Sequence, residues 1–247
     1  VVESNKIEDA RTINLETRVF PLLNLVLGQN GEPSAARYLG TCFLLNLNGQ
    51  DVFVTAKHLL DLTPDSYNLY LSYCQFDGEA TYLKVRCAYV NHTRKDLSFF
   101  IPTPEMQKDY RGVLSPMNLL HHQLPIGQGV LVYGFPESHQ SQEVSGPPLV
   151  QIHRHRFEGK VVEIEDDYPL TNIGRVYKLN VAAPEGLSGA PLMVIFKEQV
   201  VVAGYVVGEQ LSNGEPTAIC SDISPLIEIE KLLLDITGRL GRSGKRV

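Results

Sequence analysis

Three short segments hold the residue types that nucleophilic catalysis needs. Val54-Thr55-Ala56-Lys57-His58 ends an apolar run on a histidine, and Lys95-Asp96-Leu97-Ser98-Phe99-Phe100 opens another on an aspartate. Glu185-Gly186-Leu187-Ser188-Gly189-Ala190-Pro191 sets a serine in a glycine-flanked turn ahead of the apolar stretch Leu192 to Phe196. A serine hydroxyl becomes a competent nucleophile when an imidazole takes its proton, and a carboxylate then orients and stabilises that imidazole. The glycines permit a turn whose backbone N–H groups can converge on a developing oxyanion.

Each segment alone has an ordinary explanation. A histidine after a strand is usually packed or solvated, and an aspartate or serine beside glycine is usually a turn residue. The combination carries more, because order, spacing and flanking strands agree at three places. Asp96 follows His58 by 38 residues and Ser188 follows Asp96 by 92. An α/β-hydrolase would need Gly-x-Ser-x-Gly and the order serine, acid, histidine. This chain has neither. His121-His122 and the alternating His153 and His155 are the candidates for a metal site. No carboxylate or cysteine pattern accompanies them, so they read as solvent-facing residues, with no metal and no cofactor expected.

The elements that must position these residues are mostly short strands. Arg18 to Leu27, Gly40 to Asn46, Asp51 to Ala56, Tyr67 to Tyr73 and Thr81 to Val90 form one set. Gly129 to Gly134, Leu149 to Ile164, Arg175 to Val181, Pro191 to Phe196, Val200 to Val207 and Thr217 to Cys220 form the second. Asn48-Gly49 is a hairpin signal, since both positions tolerate positive φ. Many short strands separated by turns favour a sandwich or barrel over βαβ units. The Pro102 to Pro125 stretch holds four prolines and reads as an irregular connection. It divides the chain into residues 1–112, carrying the histidine and aspartate, and 113–247, carrying the serine. A terminal helix is expected from Ser224 as cap, Pro225 at the first position and Gly238 as stop. Ile223, Leu226, Ile227, Leu233 and Leu234 give it one apolar stripe to dock on the body.

Composition narrows the class. The 247 residues are 43% hydrophobic and 20% charged, which is ordinary globular usage and argues against global disorder. The net charge of −6 argues against nucleic acid as a partner. Apolar runs such as Val200 to Ala203 are too short to span a membrane, and no membrane partner is expected. Arg239, Arg242, Lys245 and Arg246 form a basic end without aromatics or periodicity, which reads as a solvated tail. Removing these four from the 22 basic groups leaves 18 against 28 acidic ones, a body near −10. Cys42, Cys74, Cys87 and Cys220 are widely spread, and Cys42 and Cys220 sit in apolar stretches where a free thiol acts as a small hydrophobe. Reduced thiols and a cytoplasmic location are the expectation. The start at Val1 suggests a processed or excised form.

The three segments together resemble the trypsin/chymotrypsin-like serine peptidases. Thr-Ala-Lys-His58 is similar to the family's Thr-Ala-Ala-His, Asp96-Leu to its aspartate-plus-apolar motif, and Gly186-Leu-Ser188-Gly-Ala-Pro191 to its Gly-Asp-Ser-Gly-Gly-Pro. The likeness runs from Thr41 to Leu234. Gly134-Phe135-Pro136, Val202 to Val207, and Ala218-Ile219-Cys220 leading into a helix resemble the non-digestive, bacterial HtrA-type members. The resemblance implies an all-β fold of two six-stranded antiparallel β-barrels with a C-terminal helix, His58 and Asp96 on the first barrel and Ser188 on the second. It implies a serine endopeptidase acting on protein or peptide substrates, with Ser188 as nucleophile, His58 as base then acid, and Asp96 as orienter. The N–H groups of Gly186 and Ser188 would form the oxyanion hole.

The same resemblance places one wall of the primary pocket at Ala182 and Ala183 and the other at Tyr205, Val206 and Val207. Neither wall offers an acid, so a small or medium apolar residue is expected before the cut. Glu209 is the residue a small alignment slip would bring in. The chain departs from the digestive pattern at Leu187, where an aspartate pairs with a cleaved N-terminus, at Ala190, where a second glycine stands, and in lacking a cysteine after His58. Control by a regulatory partner, a fused domain or oligomerisation is therefore expected. A catalytically silent or partner-activated binding module is the rival reading, since fold does not fix function.

Overall fold

The computed structural model describes residues 15–27, 33–61, 69–74, 80–85, 87–91, 95–136, 141–142, 150–151, 154–168, 174–212 and 214–231. The first half contains β1 (Val19–Leu27), β2 (Pro33–Leu47), β3 (Gln50–Thr55), the short α1 (His58–Asp61), β4 (Leu69–Cys74), β5 (Ala80–Lys84), β6 (Cys87–Asn91) and β7 (Ser98–Pro102). Helix α2 (Pro104–Tyr110) and β8 (Asn118–Leu119) lead into the second half. There follow β9 (Gly129–Gly134), β10 (Ser141–Gln142), β11 (Val150–Gln151), β12 (His155–Tyr168), β13 (Gly174–Leu179), β14 (Pro191–Phe196), β15 (Gln199–Ser212) and β16 (Glu215–Asp222). A last helix, α3, is described over residues 224–231.

The strands form two seven-stranded sheets, ordered β5-β4-β1-β2-β3-β7-β6 and β14-β9-β12-β13-β16-β15-β8, with a two-stranded β10-β11 ribbon. An additional β14–β15 pairing closes six antiparallel strands of the second sheet into a ring, and β8 joins β15 in parallel outside it. The expected double-barrel, all-β architecture is therefore present. The first sheet has one strand more than expected, because 81–90 breaks into β5 and β6, and no described pairing closes it.

Alternation along β2 shows how the core is built. Phe43, Leu45 and Leu47 share one cluster with Val54 of β3, Met193 of β14, and Val202 and Tyr205 of β15, so this face packs the two sheets together. Cys42 and Leu44 point the opposite way into the first sheet's own interior with Phe20, Leu22 and Phe53. The second barrel is filled by Val130, Val132, Leu192, Val194 and Val201. Period-two side chains bury both faces of a central strand, and each large apolar side chain removed from water contributes about 1.5–3 kcal/mol. Hydrogen bonds from Met117 N to Leu44 O and from Asn46 N to Met117 O, both 2.9 Å, fasten the connection to β2.

Several local expectations meet the structure directly. The β2–β3 hairpin turns at Asn48 (φ 53°) and Gly49 (φ 84°), the two-residue turn that matches strand twist. The Pro102–Pro125 connection is more regular than its prolines suggested, because Pro104 begins α2 and the Thr103 hydroxyl accepts from Met106 N at 3.3 Å. At α3 the capping roles are reversed. The Ser224 hydroxyl donates to Asp222 Oδ2 at 2.6 Å and Ser224 N donates to Asp222 Oδ1 at 3.2 Å, so the aspartate supplies the acceptors. Leu233, Leu234, Gly238 and the basic end lie outside the described residues, as do Val1 and His153. Among the described residues no helix is long and apolar enough to cross a membrane.

Candidate active site

His58 begins α1, three residues past the last residue of β3. Strand β7 pairs antiparallel with β3, ending at Thr55 opposite Ser98, so continuing that register sets Asp96 beside the residues just before His58. The carboxylate holds the histidine twice. Asp96 Oδ1 accepts from His58 N at 2.9 Å, and Oδ2 lies 2.7 Å from ring Nδ1. A carboxylate against Nδ1 selects the tautomer with its proton on that atom, leaving Nε2 as the acceptor a general base needs. The histidine side chain is 40% exposed and the aspartate 11%, so the free edge of the ring faces outward over a shielded carboxylate.

Ser188 comes from the opposite sheet on two consecutive turns. Leu187 N donates to Pro184 O at 3.2 Å and Ala190 N to Leu187 O at 2.8 Å. Gly186 (φ 93°) and Gly189 (φ 82°) take the left-handed conformations these turns require. At Gly189 the absence of a side chain also decides packing. A Cβ there would overlap Thr41 O and come within 2.6 Å of Thr55 Oγ1 and 2.9 Å of Ala56 N. The turn thus docks against the end of β3, two residues before His58.

The first sheet clamps the same turn at further points. Thr41 N donates to Ser188 O at 3.0 Å, while the Tyr38 and Thr41 hydroxyls donate to Gly186 O at 2.6 and 3.1 Å. From the second sheet, Gly189 N donates to Val206 O and Val206 N to Ala190 O, both at 2.8 Å. Leu187 is 1% exposed and packs among Val130, Val132 and Leu192, where a side chain on Gly134 would strike it. With the Gly186 carbonyl engaged and Leu187 N spent on its turn, the Gly186 and Ser188 N–H groups have no acceptor among the described residues. Two spare donors beside a serine can receive an anionic oxygen.

His58 and Asp96 are hydrogen-bonded, and Ser188 is carried to the same junction between the sheets. No hydrogen bond joins its hydroxyl to His58 among the described contacts. Nucleophile–base contacts are often loose until a substrate tightens them.

The residues expected to line the cleft are placed unevenly. Ala182 is half-buried and Ala183 buried, on a segment fixed by Ala218 N donating to Val181 O at 2.7 Å. Tyr205 and Val206 are both fully buried. Tyr205 pairs with Pro191 and Ser221 on its two sides, and Val206 has spent its N–H and C=O on the serine turn. Neither offers backbone to a substrate, and the open part of β15 starts at Val207. The expectation that no acid reaches the cleft walls also fails, because Ala183 N donates to Glu209 Oε2 at 2.8 Å. A register shift between Val206 and Gly208 inserts an extra residue into β15, the physical source of that slip.

The Tyr205 hydroxyl is buried near Ser221, and burial, with Asp96 and Asp222 nearby, holds its pKa well above the usual phenol value. Cys42 and Cys220 are buried and not in a disulfide, and burial pushes the Cys220 thiol up, which makes it unreactive. Among the described residues no cluster of histidines, cysteines and acids could hold a metal ion. His121 lies 3.7 Å from Glu230 of α3, His122 packs edge-on against Phe196, and His155 packs against Phe157.

By sequence, no family profile matches the chain and no curated protein matches it. By structure, it is similar to the HtrA-type protease AlgW, solved with a decapeptide, with a TM-score of 0.61 over 92% of this chain at 12% identity. The aligned part spans 66% of that protein's length. At that identity the likeness shows architecture, and together with the closed second barrel it establishes that this chain has the trypsin-like double-barrel fold.

Proposed function

We propose that the chain is a serine endopeptidase with Ser188 as nucleophile, His58 as general base then acid, and Asp96 as the orienting carboxylate. The observation that carries this reading is the pair of hydrogen bonds that Asp96 accepts from His58, ring and backbone, at the junction where the Ser188 turn docks. In the acylation step, Ser188 Oγ bonds to the substrate carbonyl carbon as its proton passes to His58 Nε2. The carbonyl oxygen takes the negative charge and accepts hydrogen bonds from Gly186 and Ser188 N–H. Collapse of this intermediate breaks the C–N bond, and His58 returns the proton to the leaving amine. Water then repeats the sequence on the acyl-enzyme, releasing the acid and restoring Ser188.

A protein or peptide chain is the substrate class, and peptide bound to the AlgW structure is consistent with it. Ala182 and Ala183 alone would favour a small or medium apolar residue before the cut, and the Glu209 carboxylate on Ala183 N changes the polarity of that space. The buried thiols of Cys42 and Cys220, which form no disulfide, support work in the cytoplasm. The second reading, a silent or partner-activated module, is favoured by the missing Ser188–His58 hydrogen bond. A serine-directed phosphonate separates the two. Covalent labelling of wild type at Ser188, with Ser188→Ala unlabelled and inactive on a cleavable protein, is the result expected. Equal turnover by both proteins would falsify the nucleophile assignment.

A further inference from the structure

Among the described residues, one side of β15 has no strand against it beyond Val206. Up to that point this side is taken, by β14 through Tyr205 and by the serine turn at Val206, while β16 runs along the other from Gly204. From Gly208 to Ser212 the described pairing is with β16 alone. An extended peptide can add to such an edge through main-chain hydrogen bonds. If its carbonyl also reaches the Gly186 and Ser188 N–H groups, the side chain just before that carbonyl falls between Ala182–Ala183 and Val207–Glu209.

Glu209 bridges that space. Its Oε2 accepts from Ala183 N at 2.8 Å, which fixes the carboxylate across from the alanine wall. The residue is otherwise exposed, and no described cation pairs with it. Glu185, the nearest acid along the facing segment, is exposed and adds the same sign of charge. We propose that Glu209 is the specificity-determining residue of this cleft and selects a Lys or Arg side chain immediately before the cut.

The argument rests on the endopeptidase reading and on the chemistry of the two walls. An apolar side chain entering this space strips water from the carboxylate and returns no hydrogen bond, which is costly. An ammonium or guanidinium group replaces that water with a charge-assisted hydrogen bond to the oxygen Ala183 does not use. The methylenes of a long stem would pack on the methyl groups of Ala182 and Ala183 while the charged head reaches Glu209. This replaces the small apolar preference expected from the alanines alone.

Two measurements test it. Fluorogenic peptides that differ only in the residue before the cut (Arg, Lys, Val or Ala) are compared on wild type and Glu209→Gln. Wild type is expected to favour Arg and Lys, and the variant to lower the Arg-to-Val ratio of kcat/KM by about tenfold or more. In parallel, binding of para-aminobenzamidine, an amidinium probe, is followed by fluorescence on Ser188→Ala protein with and without Glu209→Gln. The probe needs no catalysis, and its Kd is expected to weaken by about tenfold or more in the double variant. A wild-type preference for Val, an Arg-to-Val ratio unmoved by Glu209→Gln, or no saturable probe binding below about 10 mM overturns the proposal. Cleavage that survives Ser188→Ala sinks the endopeptidase reading instead, and the probe still reports on Glu209.

Discussion

Asp96 holds His58 by a ring hydrogen bond and a backbone hydrogen bond, and the two respond differently to substitution. In Asp96→Asn the side-chain oxygen can still accept from His58 N, so the loop keeps its place. The amide nitrogen then faces Nδ1 as a donor and drives the ring proton to Nε2, the atom that accepts from Ser188 in the proposed mechanism. The expected outcome is a fall in kcat of about 10⁴-fold with thermal stability nearly unchanged. A comparably large fall in melting temperature would show that Asp96 acts through the fold instead. The types and order of His58, Asp96 and Ser188 were legible in the sequence because each ends or begins an apolar run. The Glu209 contact was not. It depends on one extra residue in β15, and a bulge moves every later side chain without leaving a compositional trace.

At the scale of elements, the Ser188 turn is built by its neighbours as much as by its own glycines. Gly189→Ala would force a Cβ into Thr41 O at a backbone φ of 82°, so it is expected to cost about 1–3 kcal/mol in strain, with further loss from the clash. Denaturant unfolding measures this, and a change below about 0.5 kcal/mol would show that the docking is soft. Turn chemistry also explains which elements sequence could announce. Asn48-Gly49 is a pair that tolerates positive φ, and it turns β2 into β3 as expected. Lys197 (φ 49°) and Glu198 (φ 66°) make the β14–β15 hairpin from residues that give no such signal, held there by strands paired on either side. Pro104 belongs to a stretch whose prolines read as irregular, yet in the first position of α2 it is a starter. At α3, burial raises the Asp222 carboxyl above its ordinary value, while the Ser224 hydrogen bonds pull it back. A folded state that keeps this proton longer than the unfolded chain loses stability as pH rises from 3.8 through the folded value. Asp222→Asn retains an acceptor for Ser224 N and removes the titration. Its melting temperature should therefore gain on wild type as pH rises from 3.8 and level off once the folded carboxyl is ionised. A constant difference across that range would count against a strained carboxylate.

For the molecule as a whole, the question is what sets the serine turn when two sheets must meet correctly around it. In the digestive peptidases that the sequence resembles, an aspartate at the position of Leu187 does this by pairing with a cleaved N-terminus. Here Leu187 lies in the apolar interior of the second barrel, against Gly134, while Tyr38 and Thr41 hold the neighbouring carbonyl from the first sheet. Packing and inter-sheet hydrogen bonds thus take the place of an ion pair, and neither needs a free amine. Extending the chain ahead of Val1 should leave the rate of peptide cleavage nearly unchanged. Leu187→Ala should instead cost about 2–5 kcal/mol through the cavity it leaves. It should also lower kcat more than it changes KM, because in the proposed mechanism the Gly186 and Ser188 N–H groups act on charge that appears only in the transition state. Urea unfolding and steady-state kinetics on the two proteins decide the matter together. Activity lost on extension and restored when the added residues are trimmed would mean that the N-terminus, and not Leu187, orders the turn.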